Sequence, residues 1–358
     1  MRPLSPPDFS GVLPEHLMNA LHLCEAGKGD DVLARFESDF SALTNTKHVV
    51  ALSSATAALH LALVALGVGE NDIVMCPSFT FAASAFPITY QKAIPYFVDS
   101  ETVTWNMSPE YLEKGIIHCL SMEKKPKAVI LVHAYGNVAN LIEITQICQK
   151  YEINLIEDAA NALGSTYKGK QVGSFGSIGV FSFNRNKIIS AAAGGCLVTN
   201  QPDISEKVRY FAHQAKTAAS YYQHEKVGYN YGLSPLLAEL IRVQLPKLEY
   251  KVAERRNLYA EYQQSISPAI WQQEIQGARS NRWLNVVKLE TKEQAKDLLE
   301  TIQNEKVEIG RVWKPMHLQP IFETSNYIGN KESEIFFREA VCLPFSKQVA
   351  SFLSQLTL

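Results

Sequence analysis

The chain has 358 residues, 46% of them hydrophobic, and 34 basic against 36 acidic side chains give a net charge of −2. That length and apolar content allow one large domain with a smaller one attached, while the balanced charge disfavours a general nucleic-acid binder. Cysteines at 24, 76, 119, 148, 196 and 342 form no C-x-x-C pair, so neither a zinc site nor a disulfide scaffold is expected, and no metal. No run approaches the roughly 20 apolar residues of a membrane span, and the Pro-rich start lacks the apolar stretch of a signal peptide, so no membrane contact and a cytoplasmic location are expected.

In chain order, residues 1–30 read as an extended arm, held open by Pro3, Pro6 and Pro7, followed by a short amphipathic helix over 13–24. A second helix is expected over 31–43, with Leu33, Phe36, Phe40 and Leu43 on one face. From about residue 48 short β-rich runs alternate with helical patterns such as 56–66 and 141–151. The strand candidates are 49–53, 72–76, 93–98, 128–133, 153–156, 178–183 and 195–199. This alternation predicts an α/β fold, a mostly parallel seven-stranded sheet covered by helices, in a large domain over 31–240. A long helix over 233–262, broken near Pro246, marks the boundary. Beyond it a strand (283–288), a helix (292–304) and a loop rich in Trp, Pro and His (311–320) predict a smaller α+β domain over 241–358.

Ligands of such sheets bind at the carboxyl ends of the strands, so the residues that follow each run carry the chemistry. After 49–53 come Ser54-Ala55-Thr56 and a helix start, whose free N–H groups and dipole form an anion site. Neither a P-loop nor a G-x-G-x-x-G fingerprint is present. After 72–76 come Phe79 and Phe81, aromatic rings able to stack on a flat ligand or to fill a core. After 153–156 come Glu157 and Asp158, a carboxylate source for a ring N–H⁺. After 178–183 comes Lys187; an amine beside a packed sheet edge is poorly hydrated, which lowers its pKa and makes it a nucleophile or base. An anion cradle, an aromatic plate, a carboxylate and a lysine together suit pyridoxal 5′-phosphate.

Nearly the whole chain resembles the DegT/DnrJ nucleotide-sugar aminotransferases, a branch of the fold-type I pyridoxal-phosphate enzymes. The resemblance is carried by Leu4-Ser5-Pro6-Pro7, Ser54-Ala55-Thr56-Ala57-Ala58-Leu59-His60, Pro77-Ser78-Phe79-Thr80-Phe81, Glu157-Asp158-Ala159-Ala160, Phe181-Ser182-Phe183-Asn184, Gly228-Tyr229-Asn230-Tyr231 and Trp313-Lys314-Pro315-Met316-His317-Leu318-Gln319-Pro320. It implies that Lys187 attaches the cofactor and shuttles the proton, Asp158 pairs with the pyridine nitrogen and Phe81 stacks on the ring. It further implies that Ser54, Ala55, Thr56 and Ser182 bind phosphate, Asn161 faces the ring hydroxyl, and Asn230 reaches the cofactor phosphate of a neighbouring subunit in a homodimer. Asn184, Arg185, Trp313 and His317 would lie near the substrate.

The activity the resemblance implies is transfer of an amino group from glutamate to a nucleotide-linked 4-keto-6-deoxy sugar in polysaccharide or glycan synthesis. The 313–320 stretch leans toward UDP-linked 2-acetamido sugars. A sugar dehydratase of this fold carries His in place of the lysine, so Lys187 opposes that reading. A non-catalytic sugar-nucleotide-binding or regulatory relative is the other alternative, suggested by three departures from the family pattern. These are Gly232 where Arg is common, Ala191-Ala192-Ala193 where Thr, Ser or Glu is common, and Arg185 where Gly is common. Arg185 is expected to supply the positive charge that Gly232 does not.

Overall fold

The computed structural model describes residues 3–303 and 308–354; Met1 of the expected arm and Asn304 of the expected helix lie outside them. An eight-stranded sheet carries the fold, made of β1 (His48–Leu52), β2 (Ile73–Pro77), β3 (Ile94–Val98), β4 (Ala128–Val132), β5 (Asn154–Asp158), β6 (Ile178–Ser182), β7 (Gly195–Thr199) and β8 (Asn326–Ile328). Their spatial order is β1-β7-β6-β5-β4-β2-β3-β8. β7 runs antiparallel to both of its neighbours, and the remaining pairings are parallel. The seven expected runs are all present. The expected seven-stranded sheet is corrected to eight, because β8 adds three residues to the edge of β3, too few to show a period. The C-terminal segment thus also contributes to the large sheet.

Both faces of the sheet are buried because successive side chains of a strand point to opposite sides. Val49 and Ala51 join a cluster with Phe36 and Phe40 of the helix Gly29–Thr44, while Val50 and Leu52 pack with Leu59 and Leu63 of the helix Ala55–Ala65. The helix expected over 233–262 is interrupted as its proline requires: Pro235–Arg242, a 3₁₀ turn at Leu245–Lys247, then Leu248–Ser265. A four-stranded antiparallel sheet follows, in the order Ile270–Trp271, Asn285–Lys288, Ala340–Leu343, Gly310–Arg311. It packs with Leu258, Tyr262, Leu298 and Val349 in a third apolar cluster. The N-terminal arm lies on this region: the Phe345 N–H donates to the Leu4 carbonyl at 2.8 Å, and Arg255 Nη2 donates to buried Ser5 Oγ at 3.3 Å.

The two acids that end β5 go to opposite faces. Glu157 is fully buried and accepts from the N–H groups of Gly173 (2.8 Å), Phe175 (2.6 Å) and Gly176 (2.6 Å). His133 Nε2 lies 3.1 Å from the same carboxylate. His133 Nδ1 accepts from the Ala139 N–H at 3.2 Å, which leaves Nε2 as the donor. Burial alone would raise the Glu157 carboxyl, but these hydrogen bonds hold it below the usual carboxylate range. Its contribution to stability is therefore present above the unfolded carboxyl pKa and is lost as pH falls through the lower folded one. Glu157→Ala leaves these donors unpaired, and the expected loss is about 3–5 kcal/mol of unfolding free energy. A urea melt checks this; an unchanged midpoint would contradict it.

Candidate active site

A cavity of about 360 Å³ opens at the carboxyl ends of β1, β2, β5 and β6. One wall is the start of the helix Ala55–Ala65. Ser54 is its N-cap and accepts from the Ala57 N–H at 3.0 Å, which leaves Ala55 and Thr56 facing the cavity. A Cβ added at Gly195 would overlap Ala55 N and the Ser54 carbonyl carbon, so glycine there is what lets β7 pass under the helix start. Ser182 lines the same end.

Opposite lies the carboxylate of Asp158, 5% exposed. Ser84 Oγ donates to its Oδ2 at 2.7 Å and the Ala160 N–H to its Oδ1 at 3.1 Å. Thr80 Oγ1 stands 2.8 Å behind Ser84. Burial raises the Asp158 carboxyl above its ordinary value, opposed by the Ser84 and Ala160 hydrogen bonds and by the Lys187 charge. Lys187 lies in the turn after β6, with its Nζ hydrogen-bonded to Asn161 Oδ1 and 4.0 Å from the centroid of the Trp283 ring. Removal from water lowers its pKa to about 7, with Asp158 pulling the other way.

The aromatic pair after β2 divides its work. Phe79 is 1% exposed in the core, while Phe81 is 60% exposed and lines the cavity. Trp313 forms another wall, stacked on Tyr135 at 4.0 Å between ring centroids.

Most of the residues anticipated from sequence thus converge: Ser54, Ala55, Thr56, Phe81, Asp158, Asn161, Ser182, Asn184, Lys187 and Trp313 line one cavity. Three do not. His317 does not line this cavity: its Nδ1 is 2.6 Å from Ser78 Oγ, its Nε2 3.5 Å from Glu334, and its ring is stacked on Tyr327. Asn230 is exposed and pairs through its backbone with His213. Arg185 lines an adjoining cavity.

Sequence reasoning missed Ser84, Thr80 and Trp283. Trp283 Nε1 donates to the Asn186 carbonyl at 2.7 Å, and Asn281 Nδ2 donates to the carbonyls of Asn161 (2.8 Å) and Leu163 (2.9 Å). One short segment therefore holds both the lysine turn and the asparagine turn. It is distant in sequence and carries no motif, so only the i, i+4 spacing of Thr80 and Ser84 offered a signal. At Gly232 an added Cβ would stand 2.8 Å from His213 Cε1, in the ring of an exposed side chain that can turn aside, so nothing in the structure explains the absence of Arg there. Among the described residues no cluster of His, Cys, Asp or Glu is placed to hold a metal, and no helix is long and apolar enough to cross a membrane.

A family model, the DegT/DnrJ/EryC1/StrS aminotransferase family, matches residues 19–351. The chain belongs to this aminotransferase family. It is 39% identical over 348 residues to the Bacillus subtilis (strain 168) protein named "Putative pyridoxal phosphate-dependent aminotransferase EpsN", covering 95% of this chain and 90% of that one. It is 31% identical over 321 residues to the GDP-perosamine synthase of Escherichia coli O157:H7, covering 89% and 86%. The crystal structure of a DegT DnrJ EryC1 StrS aminotransferase from Brucella abortus superposes with a TM-score of 0.87 at 26% identity, covering 95% of this chain and 94% of that one. The α/β fold expected from the alternating pattern, and the aminotransferase family that the resemblance implied, are thereby shown.

The buried amine gives a direct test. In cofactor-free protein, acylation of Lys187 is expected to be half-maximal near pH 7, well below ordinary lysines. Asp158→Asn removes the charge that favours the ammonium form, so its midpoint is expected to fall further. Peptide mass mapping across pH checks both; a midpoint in the ordinary lysine range would contradict the burial argument. Because the unfolded chain protonates this amine more readily, the group opposes folding below about pH 7 and the penalty fades toward its ordinary value of 10.5.

Proposed function

We propose that this aminotransferase uses pyridoxal 5′-phosphate to move an amino group from glutamate to the keto carbon of a nucleotide-linked 4-keto-6-deoxy sugar. The observation that carries the reading is the meeting of Lys187, with its depressed pKa of about 7, and the Asp158 carboxylate across one cavity that ends at a helix start. When bound, the cofactor supplies an aldehyde for the amine and a ring that draws electrons from the reacting carbon.

The chain's own residues do the rest. The N–H groups of Ala55 and Thr56, with the hydroxyls of Ser54, Thr56 and Ser182, hold a phosphate. Asp158, fixed by Ser84, keeps the ring nitrogen protonated. Phe81 covers the ring and Asn161 aims Nζ of Lys187. Near neutral pH that Nζ is divided between its neutral and charged forms, so it serves as general base and then general acid within each half of the reaction. This is a two-stage exchange in which the donor leaves before the sugar enters. Asn184 and Trp313 border the space left for the sugar.

We further propose that the enzyme is a homodimer in which Asn230 reaches the partner's cofactor phosphate. The exposed Tyr221, Tyr222 and Val227 of the same segment are apolar area for such an interface. All six cysteines are free thiols, which fits a reducing compartment, the cytoplasm.

The sugar base has two candidates. The 313–320 stretch favours a UDP-linked 2-acetamido sugar, whereas relatives named GDP-perosamine synthase favour a GDP-linked one. Incubating the holoenzyme and glutamate with UDP-, GDP- and dTDP-linked 4-keto sugars, with mass detection, separates them. An amino sugar is the expected product; a deoxygenated sugar, or none from any member, would sink the proposal. Lys187→Ala is expected to lose the visible cofactor band and at least about a thousandfold in rate, within the range assigned to proton transfer by a positioned side chain.

A further inference from the structure

The cavity that holds Lys187 adjoins a second one of about 320 Å³, and Leu4, Asn186 and Leu284 belong to both linings. The N-terminal arm, through Pro3, Ser5 and Pro7, forms one side of this annex. Arg185 and Glu308 bring the charges. Successive residues of the lysine turn are split between the two spaces: Asn184 lines the first, Arg185 the second, and Asn186 both.

Arg185 is exposed, and its guanidinium makes no hydrogen bond or ion pair among the described residues. The bond recorded for this residue is that of its backbone N–H to Asn184 Oδ1, at 2.8 Å. Glu308 is differently occupied: its Oε2 accepts from the Leu4 N–H at 2.9 Å and ties the arm in place. Among the described residues the annex therefore offers one free cation beside a wall that is already anchored.

Size decides what that cation is for. Small-molecule sites run from about 300 to 1,000 Å³. The first cavity, about 360 Å³, is at the small end and also has to house the cofactor. A sugar joined to a nucleotide must extend past it, and the space beyond Leu4, Asn186 and Leu284 is where Arg185 waits. The amino-acid donor is short and must bring its reacting carbon to Lys187, so it does not need the annex.

We infer that the annex receives the diphosphate of the nucleotide sugar, with Arg185 as its ligand and the N-terminal arm as its wall; this rests on the function proposed above. A guanidinium presents paired N–H donors that match phosphate oxygens. The Glu308 carboxylate repels a second anion and leaves its remaining acceptor capacity to hydroxyl groups of the same ligand.

The test uses the full-length holoenzyme as wild type, Arg185→Ala and Arg185→Lys. Each is titrated with UDP and with GDP by calorimetry, and with glutamate by the change in cofactor absorbance. At least one diphosphate is expected to bind the wild type. Arg185→Ala should weaken it about tenfold, the scale of a lost charged hydrogen bond, and Arg185→Lys should fall between. The glutamate response should move less than twofold. Equal diphosphate affinity in wild type and Arg185→Ala, no binding of either diphosphate to wild type, or a larger loss for glutamate than for diphosphate would each overturn the assignment. Diphosphate binding without any spectral response of the wild type to glutamate would leave the annex standing and remove glutamate as the amino donor.

Discussion

The site turns on one electrostatic constraint: an amine and a carboxylate are both kept out of water across a single cavity. Burial pushes each toward its neutral form, lowering Lys187 and raising Asp158, and their mutual attraction partly reverses both shifts. The result is a lysine poised near neutrality rather than one locked as an ammonium. A solvated lysine would hold its proton at physiological pH, and a direct ion pair would hold it more firmly. The structure avoids both by giving the amine Asn161 and the Trp283 ring as neighbours and giving the carboxylate Ser84 and the Ala160 N–H.

That arrangement depends on scaffolding from distant parts of the chain. The pleat of β5 sends Asp158 into the cavity and Glu157 to the other face, where it fastens 173–176 through three backbone donors. The segment carrying Asn281 and Trp283 fixes the turns that hold Asn161 and Lys187. Arg282 between them takes a left-handed backbone (φ 51), as does Tyr135 (φ 56), whose ring backs Trp313. Such conformations are costly for residues with a Cβ, and here they occur where side chains must be aimed at the cavity.

Much of this was legible in the sequence because sheet physics is local. Alternating runs identified seven of the eight strands, and the rule that ligands sit at strand carboxyl ends drew attention to Ser54, Phe81, Asp158 and Lys187. What was illegible required tertiary packing. β8 is three residues long and is a strand only because β3 offers an edge. The contacts of His317 with Ser78, Glu334 and Tyr327 are not readable from its company in 313–320. Trp283 shows no local sign of its role, since nothing in its flanking residues announces a partner nearly a hundred positions earlier.

The central claim, that Lys187 is the point where pyridoxal 5′-phosphate is covalently attached, is most directly tested by chemistry on one peptide. Borohydride reduction of the holoenzyme, proteolysis and mass spectrometry should find the peptide containing Lys187 heavier by one reduced pyridoxyl phosphate. An unmodified Lys187 peptide, or the label on another lysine, would contradict the account.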